Sequence, residues 1–134
     1  MANRRQLLTS TAAIIGATSS GLWIPAQAQN SKLRLSLMLP YTGTFTQLGV
    51  AIDNGFRMAL QEAGGKVGGR EVEFFKVDDE SEPSKGVENA NKLVQRDKVD
   101  VLIGTVHSGV QMGIHKVARE TGVLNIIPNA GMHA

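Results

Sequence analysis

The sequence predicts an α/β protein built on a mainly parallel sheet with helices on both faces. Three observations carry this. Apolar stretches of strand length alternate with stretches whose apolar residues recur at helical spacing. Glycine and proline punctuate the junctions. The run Val99-Asp100-Val101-Leu102-Ile103-Gly104 is apolar enough to be buried on both faces, as parallel strands are. Alternating strands and helices join by right-handed crossovers, which makes the sheet parallel.

Leu33 to Leu39 alternates, turns apolar, and is stopped by Pro40, which reads as a first strand. Tyr41 to Gln47 is a polar loop. From Leu48, the positions Leu48, Ile52, Phe56, Ala59, Leu60 and Ala63 recur at helical spacing. Gly64-Gly65 closes that helix, and Lys66 to Arg70 is expected as a turn. Val72 to Val77 is a second strand, followed by the polar loop Asp78 to Ser81. Pro83 belongs in the first turn of a second helix, whose apolar face is Val87, Ala90, Leu93 and Val94. After the strand at 99–104 comes a loop at 105–108. A third helix carries Val110, Ile114, Val117 and Ala118 and ends at Gly122. Val123 to Ile127 is a fourth strand, and Pro128 to Gly131 the loop beyond it.

Residues 1–28 read as an address rather than structure. They contain no Asp or Glu, begin with Arg4-Arg5-Gln6-Leu7-Leu8, continue through a mildly apolar stretch, and end in Ala26-Gln27-Ala28. A basic start, an apolar middle and an A-x-A end are the parts of a secretory signal peptide. The paired arginines resemble the twin-arginine export motif. Thr, Ser, Gly and Pro interrupt the apolar run, which therefore falls short of a membrane-spanning helix of about 20 residues. The expected domains are a signal peptide at 1–28, engaging the export machinery, and a soluble mature region at 29–134 destined for the periplasm.

Composition narrows the function. The chain has no cysteine, which excludes disulfides, thiolate metal sites, a thiol nucleophile and a lipidated cysteine. Lys and Arg number 14 against 12 Asp and Glu, and Arg4 and Arg5 account for the excess. The mature region is thus neutral, which argues against a nucleic-acid partner. Aromatic residues, at 4%, are too sparse for a base-stacking platform.

Ligands of a parallel sheet bind beyond the carboxyl ends of its strands. Four loops, at 40–49, 78–82, 105–109 and 128–131, lie on that edge. His107-Ser108-Gly109 opens the third helix, where free amides and a partial positive charge suit a carboxylate. The plainer alternative makes Ser108 simply the helix cap. A catalytic serine is excluded, since Val106 stands where a G-x-S-x-G elbow needs its first glycine. No catalytic constellation is visible, and the chain is not expected to be an enzyme. Asp78, Asp79 and Glu80 read as a solvated acidic loop. His107, His115 and His133 have no metal-ligand spacing, and no dinucleotide fingerprint follows the first strand, so no cofactor or metal is expected.

Several segments resemble, in order, the type 1 periplasmic binding proteins of the branched-chain amino acid (leucine-binding protein-like) class. They are Pro40-Tyr41-Thr42-Gly43 through Gln47-Leu48-Gly49, Asn54 to Ala59, Ala63 to Arg70, Val77 to Pro83, Ala90 to Val94, Val101 to Gly104, and Pro128-Asn129-Ala130. The resemblance runs over about 33–134. It implies the substrate-binding component of an ABC importer, with two lobes that close on a small ligand and a membrane permease as partner. By that resemblance Ser108 holds the ligand carboxylate, with His107 and Gly109 beside it. Asn129, Ala130 and Gly131 form the neighbouring loop, and Leu48 occupies a position that often carries an aromatic residue closing over the ligand. Gly131 stands where the class often has Thr. Both departures count against an α-amino acid. The pairing of 107–109 with 128–131 resembles a subgroup associated with aromatic carboxylates. Members of the class are much longer, so residues 29–134 are expected to be an incomplete, truncated N-terminal lobe with an unpaired sheet edge. A periplasmic sensing lobe and an exported α/β enzyme are the alternatives.

Overall fold

The computed structural model describes residues 31–131; the expected signal peptide lies outside them. The elements in chain order are β1 (Leu33–Leu39), α1 (Thr46–Glu62), β2 (Lys66–Val67), β3 (Arg70–Asp78), α2 (Pro83–Gln95), β4 (Val101–Gly104), α3 (Ser108–Thr121) and β5 (Leu124–Ile126). The sheet order is β2-β3-β1-β4-β5. β1 lies parallel to both β3 and β4, and β4 lies parallel to β5. Only the two-residue β2 is antiparallel. The mainly parallel α/β architecture is as the sequence predicts.

Residue parity along β1 assigns its two faces. Leu35, Leu37 and Leu39, with Ile103 of β4, are buried on one face against Ile52 and Phe56 of α1. Met38 and Leu102 point the other way, into a core with Ala90 and Leu93 of α2 and Val110, Ile114, Val117 and Ala118 of α3. Helices therefore cover both faces. α2 and α3 approach closely because glycines stand at their crossing. A Cβ on Gly86 would come within 2.5 Å of Val110 Cγ1, and one on Gly113 within 2.5 Å of Val87 Cγ2.

Three local expectations are corrected. The turn at 66–70 is a small hairpin, in which Gly68 and Gly69 take positive φ of 57° and 79° between β2 and β3. Two adjacent positive-φ residues make the tight turn that matches strand twist, and glycine adopts it without steric cost. The first helix begins at Thr46 rather than Leu48. Its expected apolar stripe is only half covered, since Leu48 is 45% exposed while Gly49 and Asp53 are the buried positions. Asp53 is buried because it is paired: Arg57 Nε donates to it at 2.8 Å and Lys76 Nζ at 3.0 Å.

β5 forms one border of the sheet, with Leu124 60% and Ile126 43% exposed. They lie on the α1 side, in register with Val101 and Ile103.

Candidate functional site

The chain runs from β1 outward to β3, then back across β1 to β4, so the strand order reverses between β1 and β4. A crevice at such a reversal is where open α/β sheets take ligands. The loops after β1, β3, β4 and β5 gather at this edge.

Two carboxylates, the half-buried Asp78 and the buried Asp79, organise them, which corrects the reading of 78–80 as a solvated loop at those two positions. Asp78 receives the Tyr41 amide at 2.9 Å, the Thr42 hydroxyl at 2.7 Å and the Glu80 amide at 2.9 Å. Burial works to raise its pKa, but the bonds from Glu80, Thr42 and Tyr41 outweigh it and hold the carboxyl below its ordinary value. The β1–α1 loop is thereby pinned to the end of β3. Asp79 is fully buried. It accepts the Ser81 amide at 2.8 Å and the Thr105 hydroxyl. Sequence pattern cannot separate such an Asp from a solvated one, because its partner Thr105 is 26 residues away.

Thr105 is a junction. Its amide donates to Gln111 Oε1 at 3.0 Å, its hydroxyl donates to Asp79, and its carbonyl accepts the Ala130 amide at 3.3 Å. The loops after β3, β4 and β5 are joined through this one residue and the first turn of α3.

Tyr41 extends the anchoring on the α1 side. The Lys76 ammonium lies 3.7 Å from its ring centroid. Burial, then the Asp53 charge, raises its phenol well above the ordinary value. At Asp53, burial acts upward, but the bonds from Lys76 and Arg57 prevail and its pKa is lowered.

α3 begins at Ser108, and its cap is His107, which corrects the reading of Ser108 as the capping residue. His107 has extended backbone, and its Nδ1 accepts the Val110 amide at 3.3 Å. That bond requires the tautomer with the proton on Nε2. The imidazole lies over Gly109: a Cβ there would come within 2.9 Å of His107 Cε1 and 3.2 Å of Nδ1. Ser108 is exposed at the first helical position. The amides of Ser108 and Gly109 have no intrahelical acceptor, as in any first turn. That turn carries no acidic residue, so its partial positive charge is uncompensated.

The loop after β5 reaches the same place. Asn129 is exposed, Ala130 half-buried and bonded to Thr105, and a Cβ on Gly131 would stand 4.0 Å from Ser108 Oγ. The structure thus brings His107, Ser108, Gly109, Ala130 and Gly131 together. Leu48 lies exposed in the first turn of α1. Phe45, the residue preceding α1, meets the His107 ring, with centroids 5.8 Å apart and planes inclined by 48°. An aromatic residue in a polar loop was the available signal for Phe45. Among the described residues, no group of three or more His, Asp or Glu is placed to hold a metal ion. No helix among them is long and apolar enough to cross a membrane.

The sequence matches the family described as periplasmic binding protein over residues 32–132. It is 35% identical over 107 residues to the Leu/Ile/Val-binding protein BraC3 of Rhizobium johnstonii, covering 78% of this chain and 29% of that protein. Among solved structures, it is similar to a solute-binding protein of an ABC transporter from R. palustris in complex with benzoate. There the identity is 54% and the TM-score 0.73, over 75% of this chain and 28% of that one. It is also similar to an ABC-transporter solute-binding protein from Rhodopseudomonas palustris BisB5 in complex with 3,4-dihydroxybenzoic acid. The identity is 27% and the TM-score 0.72, again over 75% and 28%. The chain therefore spans less than a third of the proteins it matches. Strand order and family match agree: the chain belongs to the type 1 periplasmic binding proteins of the branched-chain amino acid class.

Proposed function

We propose that residues 31–131 form the ligand-binding lobe of a substrate-binding protein that captures a small carboxylate for an ABC importer. One observation carries this reading. The uncompensated N-terminus of α3, with Ser108 exposed on it, converges with Gly131 at the strand-order reversal. The Ser108 hydroxyl and the first amides of α3 hold the carboxylate; the 128–131 loop borders it. A second lobe supplies the opposite wall, and closure of the two presents the protein to a membrane permease. That the matched region spans less than a third of its relatives supports this division.

The ligand is an aromatic carboxylate. The 54% identity to a benzoate-bound protein supports it. A branched-chain amino acid is the second reading, favoured by the name of the Rhizobium relative. Calorimetric titration of the full-length polypeptide with benzoate, 4-hydroxybenzoate, leucine and isoleucine decides between them. Binding of the benzoates and not the amino acids is expected, and the reverse would replace the first reading by the second. Failure of all four to bind would reject the carboxylate receptor.

The protein is exported through its N-terminal segment and acts in the periplasm. Mass spectrometry of the periplasmic fraction is expected to find a mature N-terminus at Gln29. An intact Met1 on cytoplasmic protein would overturn this.

A further inference from the structure

We propose that Phe45 and His107 form a paired aromatic contact that makes this lobe selective for a flat, ring-bearing carboxylate over a saturated one of the same size. The proposal rests on the carboxylate-receptor reading above and assigns residues to its selectivity.

The pair bridges the strand-order reversal. Phe45 leads into α1 and His107 caps α3, so the two rings come from the loops that follow β1 and β4, on either side of the strand-order reversal. Their separation of 5.8 Å and inclination of 48° fall within the range of favourable aromatic contacts. A purely structural phenylalanine would sit in a core, yet Phe45 is in neither of the apolar clusters that hold the two faces of the sheet. Both side chains remain partly exposed.

The imidazole is also held in place. Nδ1 accepts the Val110 amide, and Gly109 leaves the space that the ring occupies. His107 is covalently next to Ser108, so a carboxylate on the first amides of α3 brings its substituent beside the imidazole. An aromatic substituent can add its ring to the pair, matching positive edges to negative faces. A saturated ring buries similar area without that term. The His107 tautomer leaves an Nε2–H, which suits a ring hydroxyl as well as a ring face.

The test compares two ligands of similar size, one with a flat aromatic ring and one with a saturated ring. Benzoate and cyclohexanecarboxylate are titrated into the full-length polypeptide, as wild type, Phe45→Leu, Phe45→Tyr and His107→Asn, with leucine as a third ligand. Asn retains a capping acceptor for α3 while removing the imidazole. The expected result is that Phe45→Leu and His107→Asn each lower the preference for benzoate over cyclohexanecarboxylate by about 3- to 10-fold, whereas Phe45→Tyr keeps it. Because the readout is a ratio, a general loss of loop order lowers both affinities and leaves it unmoved. Should Phe45→Leu fail to fold, His107→Asn carries the same comparison. An unchanged ratio in folded variants that still bind benzoate overturns the proposal and leaves the receptor reading standing. Wild type that binds leucine alone also overturns it, and wild type that binds none of the three rejects the receptor reading itself.

Discussion

The Ala130 amide donates to the Thr105 carbonyl at 3.3 Å, fastening the loop after β5 to the segment that leads into α3. Gly131 follows directly, and this bond accounts for its approach to Ser108. The candidate site is therefore a set of loops tied to one another beneath the surface, with Ser108 at its exposed end.

Ser108→Ala removes the hydroxyl but not the helix amides. It is expected to weaken binding of the carboxylate by about 1–3 kcal/mol, the range for a hydrogen bond to a charged group. Calorimetry with benzoate on the full-length polypeptide reads this directly. Unaltered affinity would take Ser108 out of the site.

Thr105→Val keeps the shape and deletes the hydroxyl, leaving buried Asp79 with the Ser81 amide and without its Thr105 partner. A stability loss of about 1–3 kcal/mol is expected from urea denaturation. The Ala130 amide bonds the Thr105 carbonyl, which valine keeps, so ligand affinity should change little. An unchanged urea midpoint would show that the bond from Thr105 to Asp79 is dispensable.

Gly109→Ala places a methyl group where the His107 imidazole lies. The flexible ring is displaced and its bond to the Val110 amide is lost, at about 0.5–2 kcal/mol for a helix cap. His107→Ala removes the same bond directly. The two changes should therefore be non-additive in a double-mutant cycle of thermal stability. Additive losses would mean that Gly109 does not act through His107.

Asp78 gives a pH signature. Its folded pKa is depressed, so its contribution to stability is complete above the unfolded value of about 4. It is lost as pH falls through the lower, folded value. The wild-type urea midpoint should drop between pH 5 and pH 2 more steeply than that of Asp78→Asn, which cannot titrate. Parallel curves for the two proteins would contradict this.

The strands and helices were legible because each carries a local signal: the alternation in Leu33–Leu39, the proline opening α2, the helical spacing of Val110, Ile114, Val117 and Ala118. So were Ser108 and the 128–131 loop, since both follow strands at the carboxyl edge. What escaped were pairings between distant residues. Asp79 looks solvated until Thr105 is brought to it, and Asp53 looks like an exposed helix residue until Lys76 arrives from β3. The cap moved from Ser108 to His107 because an imidazole nitrogen can accept as well as a hydroxyl can. The α1 stripe was over-read. Spacing shows that a face is apolar, but not how much of the sheet lies beneath it.

The central position of β1 has a kinetic meaning. It is the earliest strand among the described residues, yet its neighbours come later on both sides, and the Arg34 amide bonds to an Asp100 carboxylate 66 residues downstream. Apart from the short β2–β3 hairpin, no local pairing can nucleate this sheet, because its parallel partners are separated by whole helices. Long-range parallel pairing of this kind folds slowly. Until residues 101–104 have been synthesised, β1 has only one of its two partners. A newly made polypeptide therefore passes through an interval in which β1 is incompletely paired.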